Sequence, residues 1–399
     1  MHHYRITLEE PVAEASRSEF ESRIYFVSGL IEKFSVSPVD GWIREVSIST
    51  ARPVDPADIA RKLNLLVSRQ IAPLLSVAPK EIWRSKHQPV LVRNVFEDML
   101  AQGMVTEAGE GQMALSGEFL GLMAYLDGRI RDIVGDEFDG REYRYPTLLP
   151  FEVIERAGYL SSFPQYLMFV TRLHSDLDVY ADFQETVSEG DADPAALLRN
   201  CGQVDYCLPP TMCFHTYHQL RGQAVSDGVV TARGKSFRFE SRYSRSLERL
   251  WDFTIREIVF VGSRDFVLGR REDFMNRVFA LVEELELAGH SEPASDLFFR
   301  QEDTAEQIAT QRLMELKYEL RLPVAADRTI SVGSFNFHER FFTDSFGISH
   351  TDDIPAYTGC AGIGLERITY AFLCRHGLDP EQWPAAAREG ARRARCLAP

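Results

Sequence analysis

Thr358-Gly359-Cys360-Ala361-Gly362-Ile363-Gly364-Leu365-Glu366-Arg367 is the stretch that decides how this chain folds. Three glycines within six positions let a backbone turn tightly and admit a ligand close to the main chain. Behind them Leu365, Ile368 and Phe372 repeat at helical spacing, so a helix running to His376 is predicted, with Arg367 in its first turn. A guanidinium there, beside N–H groups the helix leaves unpaired, supplies fixed positive potential to a polyphosphate.

Other segments carry side chains that could complete such a site. In Phe253-Thr254-Ile255-Arg256-Glu257-Ile258-Val259-Phe260-Val261-Gly262, strand alternation sets Glu257 on the same side as Phe253, Ile255, Val259 and Val261. A carboxylate on an apolar face is expensive unless it is paired or coordinates a cation. Gly234-Lys235-Ser236-Phe237-Arg238-Phe239-Glu240 also alternates and puts Arg238 and Glu240 on one strand face. Such a pair either binds a phosphate and an exocyclic amine or forms an ion pair on an edge strand. Pro209-Pro210-Thr211-Met212-Cys213-Phe214-His215-Thr216-Tyr217-His218 places a thiol near two histidines, as a metal ligand or a plainly buried cysteine. Cys207 competes with Cys213 for that role if the Pro-Pro pair is the anchor. Lys317 to Pro323 and Ser331 to His338 read as strands, carrying Glu319 and then Ser334, Asn336 and His338.

Composition bounds the answer. The chain has 399 residues, 45% hydrophobic and 26% charged, as expected of a folded globular protein with one large core or two unequal ones. Its formal net charge of -15 repels a nucleic-acid backbone, so binding one would need a local basic patch. Arg388, Arg392, Arg393 and Arg395 cluster near the end and read as a solvated terminus. Six cysteines do not make a disulfide framework in so long a chain. No apolar run reaches the roughly 18 residues that cross a bilayer, and Met1-His2-His3-Tyr4 lacks an apolar signal core, so a cytoplasmic location is expected.

Residues 1–86 are expected to form a small α+β module: a strand near Tyr4 to Leu8, a helix over Ser16 to Tyr25, and a strand at Trp42 to Ser49. Asp55 then caps a helix opened by Pro56, with Ile59, Leu63, Leu66, Val67 and Ile71 on one side. A larger unit at 87–399 follows. It begins with a helical pattern over Gln88 to Val134 and the strand-like Tyr143 to Pro150. Helices are predicted at Asp265 to Leu287 and Thr304 to Leu316, and the region 265–316 reads as a helical insertion.

Taken together, these stretches resemble the three signature motifs of class II aminoacyl-tRNA synthetases. Gln88 to Pro150 is similar to the first, which forms the dimer interface in that family. Arg238-x-Glu240, a polar loop and Arg249-Leu250-Trp251 resemble the second, and the opening Gly-Cys-x-Gly-x-Gly-Leu-Glu-Arg string resembles the third. A cysteine inside that string is a feature of the zinc-dependent branch, which holds methanogen-type seryl-tRNA synthetases and amino acid:[carrier protein] ligases. The resemblance implies an α+β fold with an antiparallel sheet flanked by helices, usually as a homodimer. It also implies Zn²⁺ on Cys213, Glu257 and Cys360, with three anionic ligands outweighing the ion's charge. For ATP it implies Arg238 on the α-phosphate, Arg367 on the γ-phosphate, Glu240 on the adenine amine and Arg249 beside the nucleotide. Glu319 would carry Mg²⁺, with Ser334 and Asn336 on the substrates. The activity implied is activation of a small amino acid as aminoacyl-AMP. The acceptor would be the thiol of a phosphopantetheinyl carrier protein, which the charge and the run after Cys213 favour, or a tRNA. A non-catalytic amino-acid sensor is the third option, but it would have no need of Arg238, Glu240 and Arg367 together.

Overall fold

Asp55 accepts a hydrogen bond from the Ala57 N–H at 3.0 Å and so starts the helix that Pro56 opens. In the computed structural model this helix closes one small unit. The model describes the chain apart from residues 73–80, 91–94, 189–197, 241–245, 295–315, 327 and 398–399. Strands β1 (His2–Ala13), β2 (Ile31–Val36) and β3 (Trp42–Thr50) pair antiparallel in the order β1-β3-β2. Helices α1 (Arg17–Ile24) and α2 (Pro56–Leu66) belong to the same unit. Ile6, Leu8, Val12, Ile43, Val46 and Ile48 alternate inward against Phe20, Ile24, Ile59, Leu63 and Ile71, a core separate from that of the rest of the chain. β4 (Trp83–Arg84) already pairs with the large sheet, so membership of that sheet begins before residue 86.

The expected helical run over Gln88 to Val134 is divided. α3 (Val95–Ala101) ends at Gly103, a hairpin of 105–109 and 112–115 follows, and α4 (Gly117–Phe138) resumes. Gly103 and Gly111 adopt φ of +69° and +66°, values that favour glycine and break a helix, and the run hides this behind apolar residues on both sides. The expected strand Tyr143 to Pro150 is also corrected. Only β5 (Arg141–Tyr143) pairs with the large sheet, while Leu149–Pro150 joins a separate small sheet with Tyr206–Cys207. Pro146 has no N–H with which to extend the edge ladder.

The large sheet is completed by β6 (Gly228–Phe237), β7 (Asp252–Gly262), β8 (His290–Pro293), β9 (Lys317–Ala325), β10 (Arg328–Phe337) and β11 (Tyr357–Gly364). Its order is β4-β8-β9-β10-β11-β7-β6-β5, antiparallel throughout except for the β5–β6 pair. α5 (Cys213–Leu220) precedes β6, α6 (Arg264–Glu284) follows β7, α7 (Leu365–His376) follows β11 and α8 (Ala385–Leu397) packs on α4. α6, expected as the start of an insertion, instead lies on the sheet and buries Val267, Phe274, Val278, Leu281 and Val282 in the main core. The expected helix at 304–316 falls almost wholly outside the described residues. Among them, no helix is long and apolar enough to cross a membrane.

The glycine string is a central strand and not a tight turn. None of Gly359, Gly362 and Gly364 has a left-handed backbone. A Cβ on Gly359 would stand 2.8 Å from the Asn336 carbonyl and 2.9 Å from Val267 Cγ1, so this glycine lets α6 lie close on the sheet.

One buried charge ties these layers together. Arg256 of β7 is 2% exposed and donates to both carboxylate oxygens of Asp127 on α4 at 2.7 and 2.9 Å, and to Glu142 of β5 at 2.7 Å. Asp127→Ala would leave that guanidinium without its bidentate partner and is expected to lower unfolding stability by about 3 to 5 kcal/mol. Urea denaturation measures it, and Asp127→Leu combined with Arg256→Met is expected to cost less than Asp127→Ala alone.

Candidate active site

The floor of the site is one face of the large sheet. Antiparallel pairing sets Glu319 opposite Ser334, Ser334 opposite Gly362, and Gly362 opposite Glu257. Two residues along, Lys317 faces Asn336 and Asn336 faces Cys360. Side chains two apart share a face, so both rows rise on the same side. Tyr318, Leu320, Phe335, Phe337, Ala361 and Ile363 enter the core behind. At Gly362 a Cβ would lie 2.9 Å from Ile255 Cδ1 and 3.4 Å from Glu257 Oε2, so its missing side chain keeps the floor low between Ser334 and Glu257.

Cys213, at the start of α5, closes over this floor. Cys213 Sγ, Cys360 Sγ and a Glu257 carboxylate oxygen lie within 4.8 Å of one another, and all three residues are buried. Thr211 donates its hydroxyl to Glu257 Oε2 at 3.0 Å. Asn336 Nδ2 donates to Cys360 Sγ at 3.4 Å and to Ser334 Oγ at 3.3 Å, while its Oδ1 is buried with no partner among the described residues. Burial pushes the Glu257 carboxyl up to about 7, against the bonds from Cys360 and Thr211 that favour its charge. Burial, then Cys213 and the Glu257 charge, hold the Cys360 thiol well above its ordinary range. Three acidic groups crowded in so dry a place fit a divalent cation that takes sulfur and oxygen donors, of which zinc is the usual example. Cys207 lies elsewhere: its Sγ donates to the Leu149 carbonyl at 3.6 Å, and burial raises its thiol to about 12. His215 stacks on Tyr145, with ring centroids 5.3 Å apart, and is not part of the cluster.

The other end of the site is cationic. β6 ends at Phe237, but the Arg238 N–H still donates to the Trp251 carbonyl at 3.0 Å and Glu240 meets Arg249, so the antiparallel register runs on and keeps Arg238 and Glu240 at alternate positions along it. On the opposite edge the Phe237 N–H donates to the Pro209 carbonyl and the Phe239 N–H to the Tyr166 carbonyl. Arg238 Nε donates to the Pro210 carbonyl at 3.0 Å, and its guanidinium lies 5.6 Å from the Phe253 ring centre. Burial works against its charge, but Tyr159, Glu240 and Tyr166 together outweigh it and leave Arg238 above its ordinary value. Arg367 Nη1 donates to the Ser331 carbonyl at 3.1 Å. Burial pushes Arg367 below its ordinary value; Glu240 and Glu319 oppose this, and Arg249 and Arg238 reinforce it. These side chains therefore sit in one another's field. Glu240 accepts from Arg249 at 2.6 Å, and Glu319 pairs with Lys317 at 3.2 Å and Arg321 at 3.3 Å.

No protein-family model matches the chain. It is 31% identical over 302 residues to amino acid–[acyl-carrier-protein] ligase 2 of Bradyrhizobium diazoefficiens, covering 73% of this chain and 86% of that protein. The chain belongs to this ligase family. It is also 28% identical over 311 residues to the type-2 serine–tRNA ligase of Methanopyrus kandleri, covering 73% of this chain but 58% of that longer one. Among solved structures, M. kandleri SerRS in complex with A. aeolicus tRNASec superposes with a TM-score of 0.72 at 22% identity, over 98% of this chain and 77% of that one. The ligase thus has the class II aminoacyl-tRNA synthetase fold, with the antiparallel sheet and flanking helices that its motifs implied.

Three contributors were not assigned from the sequence. Thr211 stood within the quoted Pro-Pro-Thr-Met-Cys run, but a hydroxyl near a cysteine carries no signal of which carboxylate it will meet. Glu366 accepts from the Thr254 N–H at 2.8 and 2.9 Å and from its hydroxyl at 2.7 Å, tying the first turn of α7 to β7. His338 faces Cys360, with Nε2 3.6 Å from Sγ. Alternation along β10 could have put His338 with Asn336 and Ser334, but not opposite a thiol.

Proposed function

We propose that this ligase activates a small amino acid with ATP and Mg²⁺ and passes it to the phosphopantetheine thiol of a carrier protein. In this reading it works as a cytoplasmic homodimer with Zn²⁺ on Cys213, Glu257 and Cys360. The observation that carries the reading is the shared sheet face, with a buried two-thiol, one-carboxyl cluster at one end and Arg238, Arg367, Glu240 and Glu319 in one field at the other. Kinship with a protein named for an amino acid and an acyl-carrier protein supports the acceptor.

In the first step a carboxylate oxygen of the amino acid attacks the α-phosphorus of ATP, the bond to the β-phosphate oxygen breaks and pyrophosphate leaves. Catalysis by the protein is positioning and charge neutralisation. Arg238 holds the α-phosphate and Arg367 the γ-phosphate. Glu240 accepts from the adenine amine while Arg249 steadies its carboxylate, and Glu319 would hold Mg²⁺, which would supply charge neutralisation to the phosphates. Ser334 and Asn336 contact the substrates, Asn336 through its unpartnered Oδ1. Cys213, Glu257 and Cys360 would hold the zinc, which would supply Lewis-acid binding of the neutral α-amino group. In the second step the carrier's thiol sulfur attacks the acyl carbon, the bond to AMP breaks and the thiol proton is released.

A second reading, transfer to tRNA, is favoured by one observation: the likeness to M. kandleri SerRS spans 98% of the chain, so it takes in most of the N-terminal module. Charge argues against it, since acids outnumber bases 59 to 44 and tRNA binding must neutralise several phosphates.

Metal analysis of the purified protein is expected to find one zinc per chain, lost in Cys360→Ala and kept in Cys207→Ala; zinc retained in Cys360→Ala would remove that cysteine from the site. Arg367→Ala is expected to slow ATP–pyrophosphate exchange by about two to three decades with the fold intact. Exchange within a few-fold of wild type would make Arg367 structural. The same exchange assay, run over the proteinogenic amino acids and β-alanine, names the substrate. The acceptor is tested by offering holo carrier protein and total tRNA from the same organism in parallel with the labelled amino acid. Label on the carrier is expected. Label on tRNA alone, lost when residues 1–86 are removed, would overturn this reading.

A further inference from the structure

We propose that His338 is a positioning residue for Cys360: its Nε2–H donates to the Cys360 sulfur and holds that thiolate in the orientation and at the donor strength the metal requires. The inference rests on the zinc reading of the Cys213, Glu257 and Cys360 cluster and adds the group behind it.

The geometry is directional. His338 Nε2 lies 3.6 Å from Cys360 Sγ. On the far side of the ring, Nδ1 is met by two hydroxyls, Tyr217 at 3.2 Å and Thr358 at 3.3 Å. A hydroxyl can donate, so Nδ1 can act as the acceptor. The ring hydrogen then sits on Nε2, pointing at sulfur. The opposite tautomer would aim the Nε2 lone pair at a thiolate and is disfavoured when a metal holds that thiolate. The ring cannot turn away. His338 is fully buried, with the ring of Phe342 edge-on at 4.9 Å and that of Tyr217 edge-on at 6.0 Å, and its backbone N–H is held by the Thr358 carbonyl at 2.9 Å. Asn336 Nδ2 reaches the same sulfur at 3.4 Å. Cys360 thus receives two N–H groups, from Asn336 in β10 and from His338 just beyond its end. Such bonds drain charge from a thiolate and fix its lone pairs, which matters where two thiolates and a carboxylate share one ion. Loss of an outer-shell partner of this kind commonly weakens metal binding about 10- to 100-fold.

The test uses the full chain loaded with zinc or with cobalt(II). Zinc affinity is read by competition with a chromophoric chelator, and thiolate donor strength by the sulfur-to-cobalt charge-transfer band. His338→Phe is expected to lose about 10- to 100-fold in zinc affinity and to move the band to lower energy. His338→Gln, which keeps an N–H near the Nε2 position, is expected to recover part of both. If His338→Phe does not fold, judged by circular dichroism of the apo form, Tyr217→Phe combined with Thr358→Val decides. It keeps the ring, removes both groups that select the tautomer, and is expected to shift the band in the same direction. Wild-type affinity and an unmoved band in the decisive variant, with metal lost in Cys360→Ala, would overturn the role of His338 alone. Metal retained in Cys360→Ala would instead overturn the zinc reading beneath it.

Discussion

Everything at the site depends on the antiparallel register of β9, β10, β11 and β7. Side chains on a strand alternate with a period of two, so a slip of one residue between β11 and its neighbours would send Cys360 into the hydrophobic core and bring Ala361 or Gly359 to the site. The slip is prevented from the other side of the sheet. Ala361, Ile363, Phe335, Phe337, Ile258 and Phe260 are buried in one continuous core under α6 and α7, and a shifted strand would expose part of that set. The chemistry on one face is therefore held in place by apolar packing on the other.

Buried charge lies on both sides of the sheet, and each group has its own compensation. Arg256 is matched by Asp127 and Glu142, and Glu366 by the main chain and hydroxyl of Thr254. Glu257 has Thr211, a neighbouring thiol, the Met212 backbone and the field of Arg238 at hand, and burial still lifts its carboxyl to about 7. That contrast separates structural ion pairs from a cluster suited to a cation. The first kind is complete within the protein, whereas the second crowds two thiols and a carboxyl together.

Several readings made from sequence failed for identifiable reasons. The glycines of the 358–367 string suggested a turn because glycine is rich in turns. In fact Gly359 and Gly362 are small because α6 and the Glu257 carboxylate come close, and that crowding exists only after the layers assemble. The Gln88 to Val134 run looked like one helix because apolar residues stand on both sides of a hairpin that is marked locally by glycines, among them Gly103 and Gly111.

By itself the sequence determined the class of fold and named candidates for the site. The conjunction of the Arg-x-Glu segment, a glutamate on an apolar strand and a cysteine in the glycine string was enough for both, since residue type and short spacing are local properties. It also set the helix starts at Asp55 and before Arg367, where capping and periodicity are local too. Only the tertiary structure decided between Cys207 and Cys213. The two cysteines stand on either side of the same Pro-Pro pair, and which one meets Glu257 and Cys360 depends on how α5 packs across β7. Thr211, Asn336 and His338 became partners of the cluster for the same reason: contacts between residues far apart in the chain leave no local trace in it.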